Sequence, residues 1–295
     1  MKRIGLVVHP TRSIDIPLEI LREWADARDL ELVQVPTSAD EERTVDGAEF
    51  GEVQGCDLVA AIGGDGTVLT ALRVAAPKGT PVLGVACGSL GALSAVTAEG
   101  LEDALGAFES GDWTRRDLPA LDVNVDGERV AWALNDFVLV RRAGQLAVDI
   151  TVADELYART SGDGLIVATA LGSSAYSMAA GGPLLVAGTS VFVVTPLAPH
   201  GGSTPPLVVP SEAALTLEAH PGYSGFDVEI DGHRADVEGT KFTLTMAEAR
   251  ATLVALGDPG QGLTPLRRRS LIIDSPRVLA RDARERLAAH AQEGG

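Results

Sequence analysis

Over the first hundred positions, apolar residues fall in short unbroken runs separated by amphipathic stretches. "RIGLVVH", "ELVQVP", "CDLVAAI" and "PVLGVAC" read as strands. Between them, "IPLEILREWADARDL" sets Ile20, Leu21 and Trp24 at helical spacing, and "TVLTALRVAA" reads as a second helix. Continuous apolar strands alternating with helices predict a parallel sheet covered on both faces, a doubly wound α/β domain over about residues 1–117.

After "GDWTRRDLP" the rhythm changes. "ALDVNVDGERVAWALNDFVLVRR" holds two strand-like runs around "VDGE", a hairpin signal. "LAVDITVAD", "GLIVATA", "SVFVVTPL", "PLVVP", "ALTLEAH", "FDVEIDGH" and "KFTLTMA" follow, with Gly, Pro and Asp between them. These predict an antiparallel β-sandwich domain over about residues 118–250, in which only "SSAYSMAAGGPLL" has helical character. The rest, about 251–295, offers a strand "ATLVAL", the basic "LRRRSLII" and a charged helix, and is expected to pack back on the first domain. The cleft between the two domains is the expected site.

Composition narrows the class. The chain has 295 residues, 45% hydrophobic and 22% charged, as soluble globular proteins do. No apolar run approaches the roughly 20 residues of a membrane span, and Ile4 to Val8 is too short for a signal peptide. A cytoplasmic location without a membrane partner follows as the expectation. The formal net charge of -17 argues against a nucleic-acid partner. An anionic small molecule remains open, given backbone N–H groups, a few arginines or a divalent cation to receive it. The clusters Arg141-Arg142 and Arg267-Arg268-Arg269 fit either solvated surface or ligand contact. Cys56 and Cys87 read as buried free thiols rather than a zinc site.

The chemistry concentrates in "DLVAAIGGDGTVLTALRVAA". Strand, glycine turn and helix are how a chain builds a phosphate cradle, with unpaired N–H groups at the helix N-terminus. A Walker loop is excluded, because the loop has no lysine; the chain has only Lys2, Lys78 and Lys241. A dinucleotide fingerprint is excluded by the missing third glycine. Gly63, Gly64 and Gly66 admit close backbone approach, and Thr67 is placed to cap the helix. Asp65, in the middle, has three readings: a ligand for Mg²⁺ or another divalent cation, a general base for a hydroxyl attacking a phosphoryl group, or a turn former.

"GGDGT" resembles the signature of a kinase superfamily that includes NAD kinases, lipid kinases and, more distantly, phosphofructokinases. "GDGLIVATALGSSAYSMAAGGPLL" and "ALNDFVLVRR" narrow the resemblance to the NAD kinase family, and "GLVVHPTR", "LGVACGSLGAL", "TPLAPHGGSTPPLVVP" and "VEIDGH" fall in its order, up to about residue 245. The resemblance implies that family's fold and transfer of the terminal phosphate of ATP, or of polyphosphate, to the 2′-hydroxyl of NAD. It implies Asp65 as catalytic base and Gly64, Gly66 and Thr67 as the phosphate cradle. Asn135 then contacts adenine, Asp136 (in place of the family's Glu) a ribose, and Asp163 the nicotinamide side. Ser174, Ala175 and Tyr176 serve the second adenosine site, and His200 lies near it. Homodimers or homotetramers are implied in the same way.

The chain departs from the family at Ala86, Ala92, Ala170, Leu171, Pro205 and the tail. These bear on the substrate pocket, and leave open a kinase of the same superfamily with a lipid, polyol or nucleoside acceptor, or a non-catalytic dinucleotide sensor.

Overall fold

The computed structural model describes residues 1–37, 43–88, 90–257, 266–267 and 271–293. Strands β1 (Arg3–Val8), β2 (Glu31–Gln34), β3 (Glu49–Phe50), β4 (Leu58–Gly63) and β5 (Val82–Ala86) form a parallel sheet in the order β3-β2-β1-β4-β5. β6 (Val96–Thr97) adds beside β5. Helices α1 (Asp15–Asp26) and α3 (Leu101–Ser110) bury Leu21, Leu101 and Leu105 against Leu6, Leu58 and Ile62. Helix α2 (Asp65–Ala75) buries Val68 and Leu72 with Val7 and Val59. The sheet is thus covered on both faces, as its apolar strands require. Helix α3 is absent from the sequence-based expectation: Gly106 interrupts it, and its fully apolar face is only Leu101, Ala104 and Leu105.

The second half is two facing sheets. One is antiparallel throughout: β14 (Leu207–Pro210), β13 (Val191–Leu197), β12 (Gly164–Thr169), β9 (Asp136–Arg141), β16 (Phe226–Ile230) and β17 (His233–Ala235), in that order. The other holds β11 (Glu155–Gly162), β10 (Leu146–Val152), β15 (Leu215–Pro221) and β18 (Lys241–Ala255), with β7 (Thr114–Val125) and β8 (Glu128–Ala133) branching from β18. The expected hairpin at "VDGE" closes with Asp126 and Gly127 at φ 52 and 85, as a two-residue primed turn demands. The hairpin from β10 to β11 was not expected. Its turn residues, Ala153 and Asp154, take φ 47 and 67 without a glycine to announce them.

β18 joins the halves. Its Thr243–Ala247 pair with Asn124–Ala120 of β7; after a register break, Ala251–Ala255 pair with Leu118–Thr114, and Leu253 lies parallel beside Val82 of β5. The parallel sheet therefore runs on into the β domain as one sheet of 12 strands. The helical segment near the second glycine motif is short, α4 (Tyr176–Ala179), preceded by a 3-10 turn at Gly172–Ser174. Arg267 pairs with Asp274 at 3.0 Å, and helix α5 (Pro276–Glu293) follows; Arg268 and Arg269 lie outside the described residues. Among the described residues, no helix is long and apolar enough to cross a membrane.

Between the facing sheets, Phe242 of β18 lies 5.4 Å from Phe137 of β9 and 6.3 Å from Phe226 of β16, ring centre to ring centre. It is fully buried. Phe242→Ala is expected to lower stability by about 3–5 kcal/mol, read as the shift of the denaturant unfolding curve.

Candidate active site

The glycine loop works differently at each glycine. Helix α2 begins at Asp65 with Gly64 as its N-cap in an extended conformation and no side-chain cap. The expected capping by Thr67 is therefore corrected. Thr67 lies within the first turn, and a β-carbon at Gly63 would come 2.2 Å from its Oγ1, so Gly63 makes room for Thr67 rather than for a ligand. Gly66 is exposed, with open space where its side chain would be. At Gly64 an added β-carbon would lie 3.6 Å from Nη1 of Arg12. The loop after β1 thus delivers a guanidinium to the N-terminus of α2. His9 Nδ1 accepts the N–H groups of Thr11 and Arg12 at 3.2 and 3.1 Å, and Arg43 Nη1 donates to the Arg12 carbonyl at 2.7 Å. Burial and the Arg12 charge both push the His9 pKa down, which suits an imidazole acting as acceptor.

Asp65, half-buried, is held from the far side. Ala92 N–H donates to Oδ2 and Leu93 N–H to Oδ1, each at 3.0 Å. Gly91 is indispensable there: its β-carbon would fall 2.0 Å from Asp65 Oδ1. Arg116 donates to the Ala92 carbonyl at 3.1 Å and fixes the same loop. Burial lowers the Arg116 pKa, and the Asp65 charge opposes that.

Asn135 and Asp136 open β9 from inside the fold. Asn135 O accepts Thr169 N–H at 2.9 Å, and Leu134 O accepts the Thr169 hydroxyl at 2.6 Å. A β-carbon at Gly172 would lie 2.0 Å from Asn135 O, so the turn of the second glycine motif rests directly on this peptide. Asp136 is 4% exposed. Burial first, then the charges of Asp231 and Glu229, raise its pKa to about 7. The acid that stands in place of the family's Glu therefore shares a proton near neutral pH.

Asp163 sits between two glycines that admit no side chain. A β-carbon at Gly162 would lie 2.7 Å from two carbonyl oxygens, and Gly164, at φ 155, only 2.0 Å from Leu139 O. Arg141 Nε donates to Asp163 Oδ1 at 2.6 Å and, with His200 nearby, holds the Asp163 pKa down. Arg142 likewise pairs with Asp227 at 2.8 Å, so neither member of this basic cluster is bare surface cation. His200 is exposed on a cleft of about 360 Å³ shared with Ser161, Pro199 and Thr204. Tyr176 is 43% exposed. Burial, then the charges of Glu229, Asp136 and Asp163, raise its pKa. Ser174 turns its hydroxyl to Leu171 O at 3.2 Å, and Ala175 is exposed.

The structure thus brings Asp136, Asp163, Tyr176 and His200 into one electrostatic neighbourhood, while Asp65, Gly64, Gly66 and Thr67 form a second one on α2. Leu134 and Leu171 pack with Leu69 and Leu72 of α2 and join the two. Arg12, Gly91, Glu229 and Asp231 were missed from the sequence. Their signals were a basic residue after β1, a second glycine loop after β5, and acids alternating along "FDVEIDGH". A larger cleft, about 670 Å³ and lined by Arg142, Asp227 and Arg234, contains none of the expected site residues. Among the described residues, no three His, Cys, Asp or Glu side chains converge as a metal cage. Cys56 is buried and Cys87 half-buried, both free.

The chain is similar to known proteins. The ATP-NAD kinase N-terminal domain family matches residues 21–113 and the ATP-NAD kinase C-terminal domain family residues 134–251. An NAD kinase of Heliobacterium modesticaldum is 35% identical over 210 residues, 68% of this chain and 74% of that protein. One from Moorella thermoacetica is 33% identical over 270 residues, 88% of this chain and 86% of that protein. Yeast NADH kinase complexed with NADH has the same fold, with a TM-score of 0.75 at 21% identity over 93% of this chain and 89% of that one. So does an NAD kinase from Archaeoglobus fulgidus in complex with ATP, at 0.72 and 23% over 92% of this chain and 100% of that one.

The buried acid at 136 makes a pH prediction. Its folded pKa of about 7 lies above the ordinary 3.8, so between those values the folded state keeps a proton that the unfolded chain releases. Stability should therefore fall as pH rises from 4 to 7, by up to about 4 kcal/mol at 1.36 kcal/mol per unit, and level off above. Asp136→Asn should remove this slope. Thermal unfolding of both proteins across that window checks it, and equal slopes refute it.

Proposed function

The chain belongs to the ATP-NAD kinase family, and on that premise we propose how its residues divide the work of making NADP from NAD and ATP. The carrying observation is Asp65: a carboxylate at the first turn of α2, beside the Gly64–Gly66 backbone and gripped by the Ala92 and Leu93 N–H groups. The 2′-hydroxyl oxygen of the adenosine ribose attacks the terminal phosphorus of ATP. The bond from that phosphorus to its bridging oxygen breaks, ADP leaves, and Asp65 takes the hydroxyl proton.

The donor phosphates lie at the N-terminus of α2, where the N–H groups at Gly64 and Gly66 and the Arg12 guanidinium receive their charge. Thr67 supports this cradle by packing under Gly63. Asn135 reads adenine through an amide that both donates and accepts, and Asp136 meets the ribose. Asp163, Ser174, Ala175, Tyr176 and His200 line the nucleotide's other reaches; the exposed Tyr176 ring offers a stacking face. The residues present suit a Mg²⁺ ion that arrives on the phosphates with Asp65 as its protein carboxylate, the usual manner for this cation. When bound, it neutralises charge developing on the transferred group. A cytoplasmic location and a homodimeric or homotetrameric assembly accompany this reading.

Incubating the purified protein with ATP, Mg²⁺ and NAD should yield NADP. Asp65→Asn should lower kcat by about 10²- to 10⁴-fold while NAD still binds, measured by calorimetry. Loss of NAD binding with kcat retained would contradict the assignment. Arg12→Ala should raise KM for ATP roughly tenfold and leave KM for NAD near its original value, which steady-state kinetics in each substrate will separate.

A further inference from the structure

Asp231 is the first of the two residues in the tight turn between β16 and β17, yet its side chain is turned fully inward, with 0% of it exposed. It accepts hydrogen bonds from three successive backbone N–H groups: Leu134 at 3.1 Å, Asn135 at 2.6 Å and Asp136 at 3.2 Å. Its own N–H donates to Asp136 O at 2.9 Å. On the other side Arg73 Nη1 donates to Asp231 Oδ2 at 2.6 Å and also reaches Trp132 O. Arg73 belongs to α2, eight residues beyond Asp65 on the same helix, or about 12 Å along its axis.

We propose that Asp231 is a positioning residue for the kinase reaction. Its carboxylate sets the peptide 134–136, and thereby the side chains of Asn135 and Asp136, and ties that peptide through Arg73 to the helix whose first turn carries Asp65. This rests on the reading of Asn135 and Asp136 as nucleotide contacts. Three converging N–H donors place the charge of Asp231 where no water competes, and a buried carboxylate so held is stiff. The peptide has little freedom left: Thr169 holds Leu134 O and Asn135 O from the opposite side, and Gly172 lies against it. A misplacement of this peptide moves adenine and ribose together relative to Asp65.

Asp231→Asn is the informative variant. Asn accepts the left-handed backbone that Asp231 adopts at φ 52, but it replaces one acceptor oxygen with an amide that faces donors. KM for NAD should rise about 10- to 100-fold, with KM for ATP little changed. Removing the Asp231 charge should also move the Asp136-linked inflection in the pH dependence of KM for NAD to lower pH. A purely structural role would lower the thermal midpoint and the fraction of active enzyme without moving either quantity. Asn135→Ala separates the two ideas. If it leaves KM for NAD unchanged, the reading of Asn135 fails and the proposal fails with it. If it raises KM for NAD while folded Asp231→Asn keeps the original KM and inflection, the proposal alone is overturned. Should Asp231→Asn not fold, Arg73→Met decides: a rise in KM for NAD of roughly 2- to 30-fold is expected, and an unchanged KM overturns the proposal.

Discussion

A single buried charge organises the active half of this molecule. Asp231 gives up its hydration entirely, and a lone carboxylate so placed is strongly disfavoured unless paired and hydrogen-bonded. Three backbone N–H groups and one arginine supply that compensation, and all four come from elements that bear on the site. The demand of one acid for partners therefore dictates how strand β9, the β16–β17 turn and helix α2 meet. Asn135 and Asp136 inherit their placement from it.

A second carboxylate, Asp65, uses the same device. Two N–H groups from the loop after β5 hold it, and Gly91 makes their approach sterically possible. The fully buried Asp231 is committed to structure by its N–H donors and Arg73, whereas Asp65 is half-buried at the first turn of α2. Asp136 shows the third condition. Burial, with the charges of Asp231 and Glu229 nearby, raises its pKa to about 7, so it exchanges a proton near neutral pH.

Much of this was legible before any coordinates. The alternation of apolar strands and helices gave the parallel sheet, because its periodicity is local. The strand–glycine–helix pattern located Asp65 at a helix N-terminus, and ordered motifs singled out Asn135, Asp163 and Tyr176. What escaped was long-range. "VEIDGH" announces a turn at Asp231-Gly232, but nothing nearby says that the carboxylate reaches Leu134, 97 residues back, or Arg73, 158 residues back. Arg12 escaped for the same reason: its neighbour at Gly64 belongs to another strand's loop. Thr67 was misread because helix capping and filling the space beside a glycine favour the same small side chain at the same place. The continuity of the sheet through β18 also escaped, since a register break within one strand leaves no mark on its alternation of residues.

The departures from the family take a different colour in this light. Ala92 serves Asp65 through its N–H and Arg116 through its carbonyl. The carbonyls of Ala170 and Leu171 accept the hydroxyls of Ser173 and Ser174, and that of Pro205 accepts the Tyr157 hydroxyl. Ala86 is buried and pairs with Gly63 along the sheet. Each of these contacts is made by main chain, and at Leu171 the side chain also packs against the α2 cluster. The Ala92 N–H contact to Asp65 and the Ala170 carbonyl contact at the Gly172 turn therefore do not depend on which side chains stand at 92 and 170. Substitution at 92 or 170 can thus change the side chain without disturbing the main-chain contacts, because the two are different atoms of the same residue.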